Sequence, residues 1–138
     1  YNPHTFGSNS IKKVLPAVLK SSQFVQEKYS RPINEIQVTS INIPSDHTWL
    51  TVKNGEIVDP YKTLPPVYDN ISQDEIETRL SDMKNIDDGG AALTAYGKMQ
   101  YTDMTEKERE DISDALKRYC ELDTLAMVMI YEHLKSII

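Results

Sequence analysis

The residue of this chain that is best placed for chemistry is an acid on the apolar side of a predicted helix. The helix is expected to run from about Glu106 to the C-terminal end of the chain. Its apolar residues recur at steps of three and four, as one face of a helix requires. At about 100° per residue, Asp123 falls near the centre of this stripe, and Tyr119 lies one turn earlier on the same face. The stripe consists of Ile112, Leu116, Tyr119, Ala126, Met127, Ile130, Leu134 and Ile137.

A carboxylate at the position of Asp123 needs compensation if that stripe is buried. An unpaired buried acid would either destabilise the fold or take up a proton. The opposite face of the helix is apolar as well, so we expect its second half to be buried nearly all round. A basic partner, a backbone donor, a metal ion or an opening onto a cleft would each satisfy the acid. The purely structural alternative is a satisfied buried acid bonded to the N-terminal segment, for instance through Lys12 or Lys13.

Two helices are predicted in the N-terminal part of the chain. Ser8 or Ser10 can cap a helix that begins near Ile11. Pro16 lies inside that helix and predicts a kink or a break, because proline removes one helical hydrogen bond. A second short helix is expected over residues 22–29.

The middle of the chain has the pattern of a hairpin followed by a proline-rich loop. Asn54-Gly55 between two apolar runs predicts a type I′ turn with strands near 48–53 and 56–59. A third strand is expected over 36–42, where β-branched residues are frequent. The loop over 60–68 is interpreted as a rigid connector, and its tyrosines, together with Trp49, are interpreted as core or rim residues.

Helices are expected again after the loop. Ser72 and Glu75 form a capping-box pattern, and a further helix is predicted from the Asp87–Gly90 run to about Gln100. That acidic run lacks the later ligands of a calcium loop and is interpreted as a helix N-terminus. Thr105 and Glu108 form a second capping box at the start of the last helix. We expect one domain over 1–138.

Composition limits the classes of function. The chain has 39% hydrophobic and 26% charged residues, which excludes collagen-like and wholly disordered classes. No apolar run approaches the ~20 residues that cross a bilayer. The lone Cys120 forms no internal disulfide, suits the cytoplasm and is interpreted as a packing residue. The histidines are far apart and show no metal-binding spacing. No Gly-rich phosphate loop is present.

Charge is distributed unevenly along the chain. The net charge is −6, but residues 1–32 are net positive and the remainder is strongly acidic. An isolated nucleic-acid binder is usually basic overall, so the basic segment predicts at most a local phosphate contact. The ordinary alternative is a solvated helix face. Because the first residue is Tyr1 and not Met, we expect the chain to be part of a longer protein.

Three segments together resemble a known group of nucleases. The run Tyr119-Cys120-Glu121-Leu122-Asp123-Thr124 resembles the Tyr-x-x-x-Asp motif of DnaQ-like 3′–5′ exonucleases, which have a ribonuclease H-like fold. The wider set also resembles the C-terminal part of an uncharacterised bacterial family, a domain of unknown function often joined to a RecB-type nuclease region. The segments, in this order, are Gly7–Ala17, Asp88–Ala92 and Tyr119–Met127.

The predicted elements make an α+β fold, mostly helical with a β-hairpin, and the resemblance implies that this fold is the C-terminal fragment of a ribonuclease H-like exonuclease. It implies that Asp123 holds Mg²⁺ or Mn²⁺ and that Tyr119 positions the attacking water. Lys12 or Lys13 would face the nucleic acid. The family's Asp-x-Glu strand and second acidic motif have no match here, so the chain alone is expected to be inactive and to bind no metal. Residues 33–70 match least and resemble an insertion.

Two other functions compete with the exonuclease interpretation. The chain could be a non-catalytic interaction module of a DNA- or RNA-processing protein, using the proline-rich loop and the hairpin around Asn54-Gly55. It could also be a purely structural helical domain in which Asp123 is satisfied by its neighbours. The partners expected under the first interpretation are nucleic acid and the preceding exonuclease strands, with no membrane.

Overall fold

A computed structural model describes residues 3–65 and 105–138 of the chain. These residues contain three α-helices, which are α1 (Ile11–Ser21), α2 (Gln23–Tyr29) and α3 (Glu106–Ser136). They also contain a two-stranded antiparallel sheet of β1 (Val52–Lys53) and β2 (Glu56–Ile57), in agreement with the α+β class. The helices predicted between residues 72 and 100 lie outside the described ranges. Within those ranges, no helix combines the length and the apolar character that crossing a bilayer demands.

The chain divides into two compact units. The first comprises Tyr1–Pro65 and Arg118–Ile138, and the second comprises Pro66–Lys117, of which 105–117 are described. The last helix begins in the second unit and ends in the first. All of the core and site contacts discussed below lie within the first unit.

Helix α1 runs unbroken through Pro16, so of the predicted kink or break, the break does not occur. It begins after Ser10, as one of the two predicted caps requires, although the Ser10 side chain makes no capping hydrogen bond. Pro16 is exposed, whereas residues on both sides of it are buried in the core. Packing on either side of the proline thus holds the helical conformation, despite the hydrogen bond that proline cannot make. The buried residues of α1 are Leu15, Ala17, Val18 and Leu19.

Helix α2 confirms the prediction for residues 22–29. Ser22 ends α1 and begins α2, and its hydroxyl oxygen accepts a hydrogen bond from the Val25 backbone N–H at 3.3 Å. This is the ordinary role of serine at an N-cap. Val25 and Tyr29 point from the helix into the core, where both are fully buried.

The hairpin forms where the turn signal predicts it, but the strands are shorter than expected. Asn54 and Gly55 have φ values of 52° and 77°, as a type I′ turn requires. Val52 pairs with Ile57, and Lys53 pairs with Glu56. Residues 48–51 lie outside the strand: Thr48 forms an isolated bridge with Pro32, and the consecutive residues Trp49 and Leu50 are both buried in the core. The interpretation of Trp49 as a core residue is therefore confirmed.

The prediction of a strand over 36–42 is wrong. A short 3₁₀ turn, Ile33–Glu35, precedes this segment, and the Val38 N–H donates to the carbonyl of Ile36 at 2.7 Å in a tight turn. Ile41 is 94% exposed while Ile43 is buried. The segment has an irregular conformation, because β propensity alone does not supply the neighbouring strand that a sheet needs.

The side of α3 that packs in the core differs from the predicted stripe. The residues buried at 0–6% exposure are Leu122, Leu125, Ala126 and Met129. Met127, Leu134 and Ile137 are at least half exposed, so the expectation of a helix buried nearly all round is wrong. A helix that is apolar on several sides can turn only one of them toward the core. The core joins this side of α3 to buried residues of α1, α2 and the segments around the hairpin.

Candidate functional site

The orientation of α3 is set first by a carboxylate that binds the irregular segment before the hairpin. Glu121 accepts hydrogen bonds from the Ser40 hydroxyl, from the Asn42 backbone N–H at 3.1 Å and from Asn42 Nδ2 at 2.6 Å. The Ser40 oxygen in turn accepts from the Ile43 N–H at 3.0 Å. Hydrogen bonds to a charged acceptor are stronger than neutral ones. Glu121 therefore ties α3 firmly to residues 40–43.

A guanidinium on the same side of α3 adds two more contacts. Arg118 Nε donates to the Asn42 carbonyl at 3.0 Å, and Nη1 donates to the Pro65 carbonyl at 2.7 Å. At about 100° per residue, Glu121 lies beyond one edge of the buried line of α3 and Arg118 lies within the line near that edge. Tyr119 and Asp123 lie beyond the other edge. The hydrogen bonds of Glu121 and Arg118 thus stabilise the rotation of α3 that places Tyr119 and Asp123 at the opposite edge.

Asp123 lies at the edge of the buried side of α3 and not at its centre. Asp123 is half-buried, while the neighbouring Leu122 is fully buried. Its Oδ1 accepts a hydrogen bond from the hydroxyl of Tyr61. The prediction of a central buried acid is therefore wrong, because the helix is rotated toward Leu122 and Met129. Partial exposure also reduces the cost of keeping this carboxylate charged.

The sequence did not single out the donor, Tyr61. It lies in a 3₁₀ turn, Pro60–Thr63, whose start is fixed by Asp59: the Asp59 side chain accepts from the Tyr61 N–H at 3.1 Å. Thr63 Oγ1 donates to the Pro60 carbonyl at 3.1 Å within the same turn. An aspartate followed by proline is typical of such a turn, and that pattern was the available signal. The pattern does not indicate which group accepts a hydrogen bond from the tyrosine hydroxyl.

Burial and the neighbouring carboxylate keep the Tyr61 phenol protonated. Tyr61 is only 7% exposed. Burial raises the pKa of Tyr61 well above its ordinary value, and the hydrogen bond and charge of Asp123 raise that pKa further. A protonated phenol is a donor, so it can hold one oxygen of the carboxylate at neutral pH.

Tyr119 completes a chain of contacts between the turn and α1. Its ring lies 5.0 Å from the Tyr61 ring, centroid to centroid, with the planes inclined by 48°. Lys12 Nζ stands 5.5 Å from the centroid of the Tyr119 ring, within the range of a cation–π interaction. The structure thus brings Lys12, Tyr119 and Asp123 to one side of the unit. Lys13 is exposed, and its position on α1 is rotated by about 100° from that of Lys12.

As a metal ligand, Asp123 offers one carboxylate. Mg²⁺ is usually bound by one or two carboxylates together with water and substrate phosphate, so a partly exposed aspartate fits one position of such a shell. In the ranges 3–65 and 105–138, no group of three or more His, Cys, Asp or Glu side chains is placed to hold a metal. Within these ranges Asp123 is therefore a single candidate ligand and not a member of a grouped metal site.

Two further reactive side chains are His47 and Cys120. His47 is half-buried edge-on to Trp49 at a centroid distance of 5.6 Å, and burial lowers its pKa. Cys120 is exposed on α3, so its interpretation as a packing residue is wrong. The side of α3 that carries Cys120 faces away from the buried line through Leu122 and Met129.

Comparison with protein-family models, with curated proteins and with solved structures finds no match to this chain. A functional assignment must therefore come from the residues themselves. The strongest features are the Tyr119 and Asp123 pair, the described contacts of Tyr61 and Lys12 with it, and the order of the motifs along the sequence.

Proposed function

We propose that this chain is the C-terminal segment of a metal-dependent 3′–5′ exonuclease with a ribonuclease H-like fold. It contributes the Tyr119 and Asp123 motif and is inactive alone. One observation carries the proposal: both side chains lie on the same edge of α3, half-buried and not sealed in the core. Lys12, a cation, lies against that edge through its contact with Tyr119.

In this proposal each residue has a separate task. Asp123 offers a carboxylate oxygen to a divalent ion, Mg²⁺ or Mn²⁺, which when bound stabilises the charge that develops in phosphodiester hydrolysis. The Tyr119 hydroxyl orients the attacking water. Lys12 lies on the side from which a phosphate backbone would approach, and its charge favours that approach. Lys13, exposed one position further along α1, would contact the same polyanion farther from Asp123.

The expected inactivity of the isolated chain follows from the number of carboxylates. Phosphodiester hydrolysis with two metal ions needs several acids around the metals. Asp123 is the acid that accepts from the Tyr61 hydroxyl, and no group of three or more His, Cys, Asp or Glu in the described ranges is placed to hold a metal. The other acids would come from the Asp-x-Glu strand and the second acidic motif that precede this segment in the exonucleases it resembles.

The experiment uses the longer protein that contains this segment. Degradation of single-stranded DNA and RNA is measured with Mg²⁺ or Mn²⁺ for the wild type, Asp123→Asn and Tyr119→Phe. The matched control is Asp114→Asn, which changes an exposed aspartate of the same helix. We expect Asp123→Asn to abolish degradation, Tyr119→Phe to reduce it strongly and Asp114→Asn to leave it unchanged. Undiminished degradation by folded Asp123→Asn would contradict the proposal.

The alternative is a non-catalytic interaction module, and exposed apolar residues favour it. Met127, Tyr131 and Leu134 are 50–64% exposed on one side of α3, and Val52 is 54% exposed in the hairpin. Large exposed apolar patches mark interaction surfaces. The same assay separates the two functions, since an interaction module would leave nuclease activity insensitive to Asp123→Asn.

A further inference from the structure

We infer that Phe6 and three lysines of α1 form a binding surface for single-stranded nucleic acid, with one base stacked on the Phe6 ring and the phosphates along α1. This α1 surface consists of Phe6, Lys12, Lys13 and Lys20. The inference deepens the proposed function, on which it rests for the kind of partner, and its contacts require no metal ion. The observation behind it is an aromatic side chain that is 90% exposed on a backbone conformation that suits phenylalanine poorly.

Phe6 occupies a tight turn in which phenylalanine is the unusual residue. Phe6 and Gly7 have φ values of 52° and 81°, nearly those of Asn54 and Gly55 in the hairpin turn. Asparagine tolerates a positive φ, whereas a bulky residue is crowded there. The Phe6 ring is exposed, so burial does not offset this strain. Strained residues of this kind cluster at ligand-binding sites.

The backbone that carries Phe6 is already ordered next to the start of α1. The Ser8 N–H donates to the carbonyl of the buried Thr5 at 3.0 Å, which closes the turn. The Ser8 hydroxyl oxygen accepts from the Ser10 N–H at 3.2 Å, and the Ser10 carbonyl accepts from the Lys13 N–H at 2.9 Å. These hydrogen bonds link the turn to the first turn of α1, so binding has less backbone to order.

The exposed side of α1 is basic and therefore complements a polyanion. Lys12, Lys13 and Lys20 are exposed and, at about 100° per residue, lie within an arc of about 100°. The buried residues of α1 lie outside this arc, and Glu27 is the only acid in residues 1–32. Proteins that bind single strands combine a positively charged track for the backbone with aromatic side chains on which bases stack. The α1 surface offers both groups.

The α1 surface also leads to the Tyr119 and Asp123 motif. Lys12 Nζ lies 5.5 Å from the centroid of the Tyr119 ring, and Tyr119 precedes Asp123 by one helical turn. A strand that contacts Lys12 therefore lies next to the residues to which the proposed function assigns hydrolysis.

An anionic membrane is the other large polyanion that exposed lysines and a phenylalanine could contact. A helix that lies in a membrane interface inserts a wide apolar face. The large apolar residues Leu15, Val18 and Leu19 of α1 are buried in the protein, and Phe6 is the only large apolar residue of its turn. A single exposed ring beside lysines suits the stacking of one base better than insertion into lipid.

The first test measures binding of single-stranded oligo(dT) to the longer protein in EDTA, which prevents cleavage. Phe6→Asn gives the turn the same two residues as the hairpin turn, and Phe6→Trp keeps an aromatic face. Phe24→Ala is the control, because it removes another exposed phenylalanine, on α2. We expect the Kd from fluorescence anisotropy to rise about 5- to 100-fold in Phe6→Asn. Phe6→Trp and Phe24→Ala should bind like the wild type.

The second test separates the lysines from the ring by salt dependence. Lys13→Ala and Lys20→Ala should each reduce the slope of log Kd against log salt concentration by about 0.7, the value for one phosphate contact on a single strand. Lys53→Ala, which changes an exposed lysine of the hairpin, should leave the slope unchanged. Phe6→Asn should raise the Kd without changing the slope, since stacking releases no counterions.

Several results would overturn the inference. These are a wild-type protein that does not bind oligo(dT), an unchanged Kd in Phe6→Asn, and Phe6-dependent binding to phosphatidylserine vesicles in place of oligo(dT). The midpoint of thermal unfolding should stay the same or rise in Phe6→Asn, because asparagine suits the turn. A lower midpoint would show that Phe6 stabilises the fold, and it would remove the reason to assign the ring a ligand.

The outcomes also separate this inference from the proposed function. Normal oligo(dT) binding by Phe6→Asn, together with abolished degradation in Asp123→Asn, would overturn the α1 surface and leave the exonuclease proposal standing. Weak binding by Phe6→Asn, together with undiminished degradation in Asp123→Asn, would overturn the exonuclease proposal and leave a surface that binds single strands.

Discussion

The Tyr61 hydroxyl donates a hydrogen bond to Asp123, a residue 62 positions further along the chain. The contact joins the 3₁₀ turn after the hairpin to the last helix. It gives the half-buried acid of α3 a neutral partner and gives the buried phenol an acceptor. Loss of either group therefore leaves the other without this hydrogen-bond partner.

Asp123→Ala should destabilise the protein more than Asp123→Asn. Alanine leaves the buried Tyr61 hydroxyl without its acceptor, at an expected cost of about 1–3 kcal/mol in the free energy of unfolding. Asparagine keeps a carbonyl oxygen that can accept from the phenol. Chemical denaturation of both variants measures the difference. In the Tyr61→Phe background the cost of Asp123→Ala should shrink, and an unchanged cost would show that the hydrogen bond does not stabilise the fold.

The stability of the fold should fall at alkaline pH through Tyr29. Burial, followed by the hydrogen bond and the charge of Glu132, raises the pKa of Tyr29 above its ordinary value. Above about pH 10 the unfolded chain loses this proton and the folded protein keeps it, so the free energy of unfolding decreases as pH rises. Tyr29→Phe should make that decrease shallower. Equal slopes in the variant and the wild type, measured by denaturation across this pH range, would refute the prediction.

Glu121→Ala should cost more stability than substitution of an exposed glutamate on the same helix. The change removes the acceptor of the Ser40 hydroxyl and of both Asn42 donors. Because these bonds go to a charged group, we expect a loss of about 2–3 kcal/mol. Glu110→Ala is the control, since Glu110 is exposed, and it should change the free energy of unfolding by less than about 0.5 kcal/mol. Similar losses in the two variants would contradict the role of Glu121.

The buried side of α3 can be tested by two alanine substitutions. Leu122 is fully buried, and Leu122→Ala should lower the free energy of unfolding by about 2–5 kcal/mol. Met127 is 58% exposed, and Met127→Ala should have an effect within about 0.5 kcal/mol. Urea denaturation of both variants measures these effects. A larger loss for Met127→Ala than for Leu122→Ala would favour the stripe expected from the sequence pattern.

The features that could be predicted from the sequence are those governed by neighbouring residues. Asn54 and Gly55 adopt positive φ because these two residues tolerate it best, so the hairpin turn could be predicted. Ser22 caps α2 with its own hydroxyl, which requires only Val25 three positions later. The motif pair Tyr119 and Asp123 shares one edge of α3, since four residues make about one helical turn.

Which side of α3 is buried, and which residue contacts Asp123, depends on how the core packs. The helix is apolar on more than one side, and periodicity cannot choose between them. Packing places Leu122 and Met129 in the core, and the Glu121 contacts with Ser40 and Asn42 hold that rotation. The hydrogen bond between Tyr61 and Asp123 joins residues far apart in the chain, so no local sequence pattern predicts it. Such contacts arise from the shape of the packed core, and that shape depends on the whole unit.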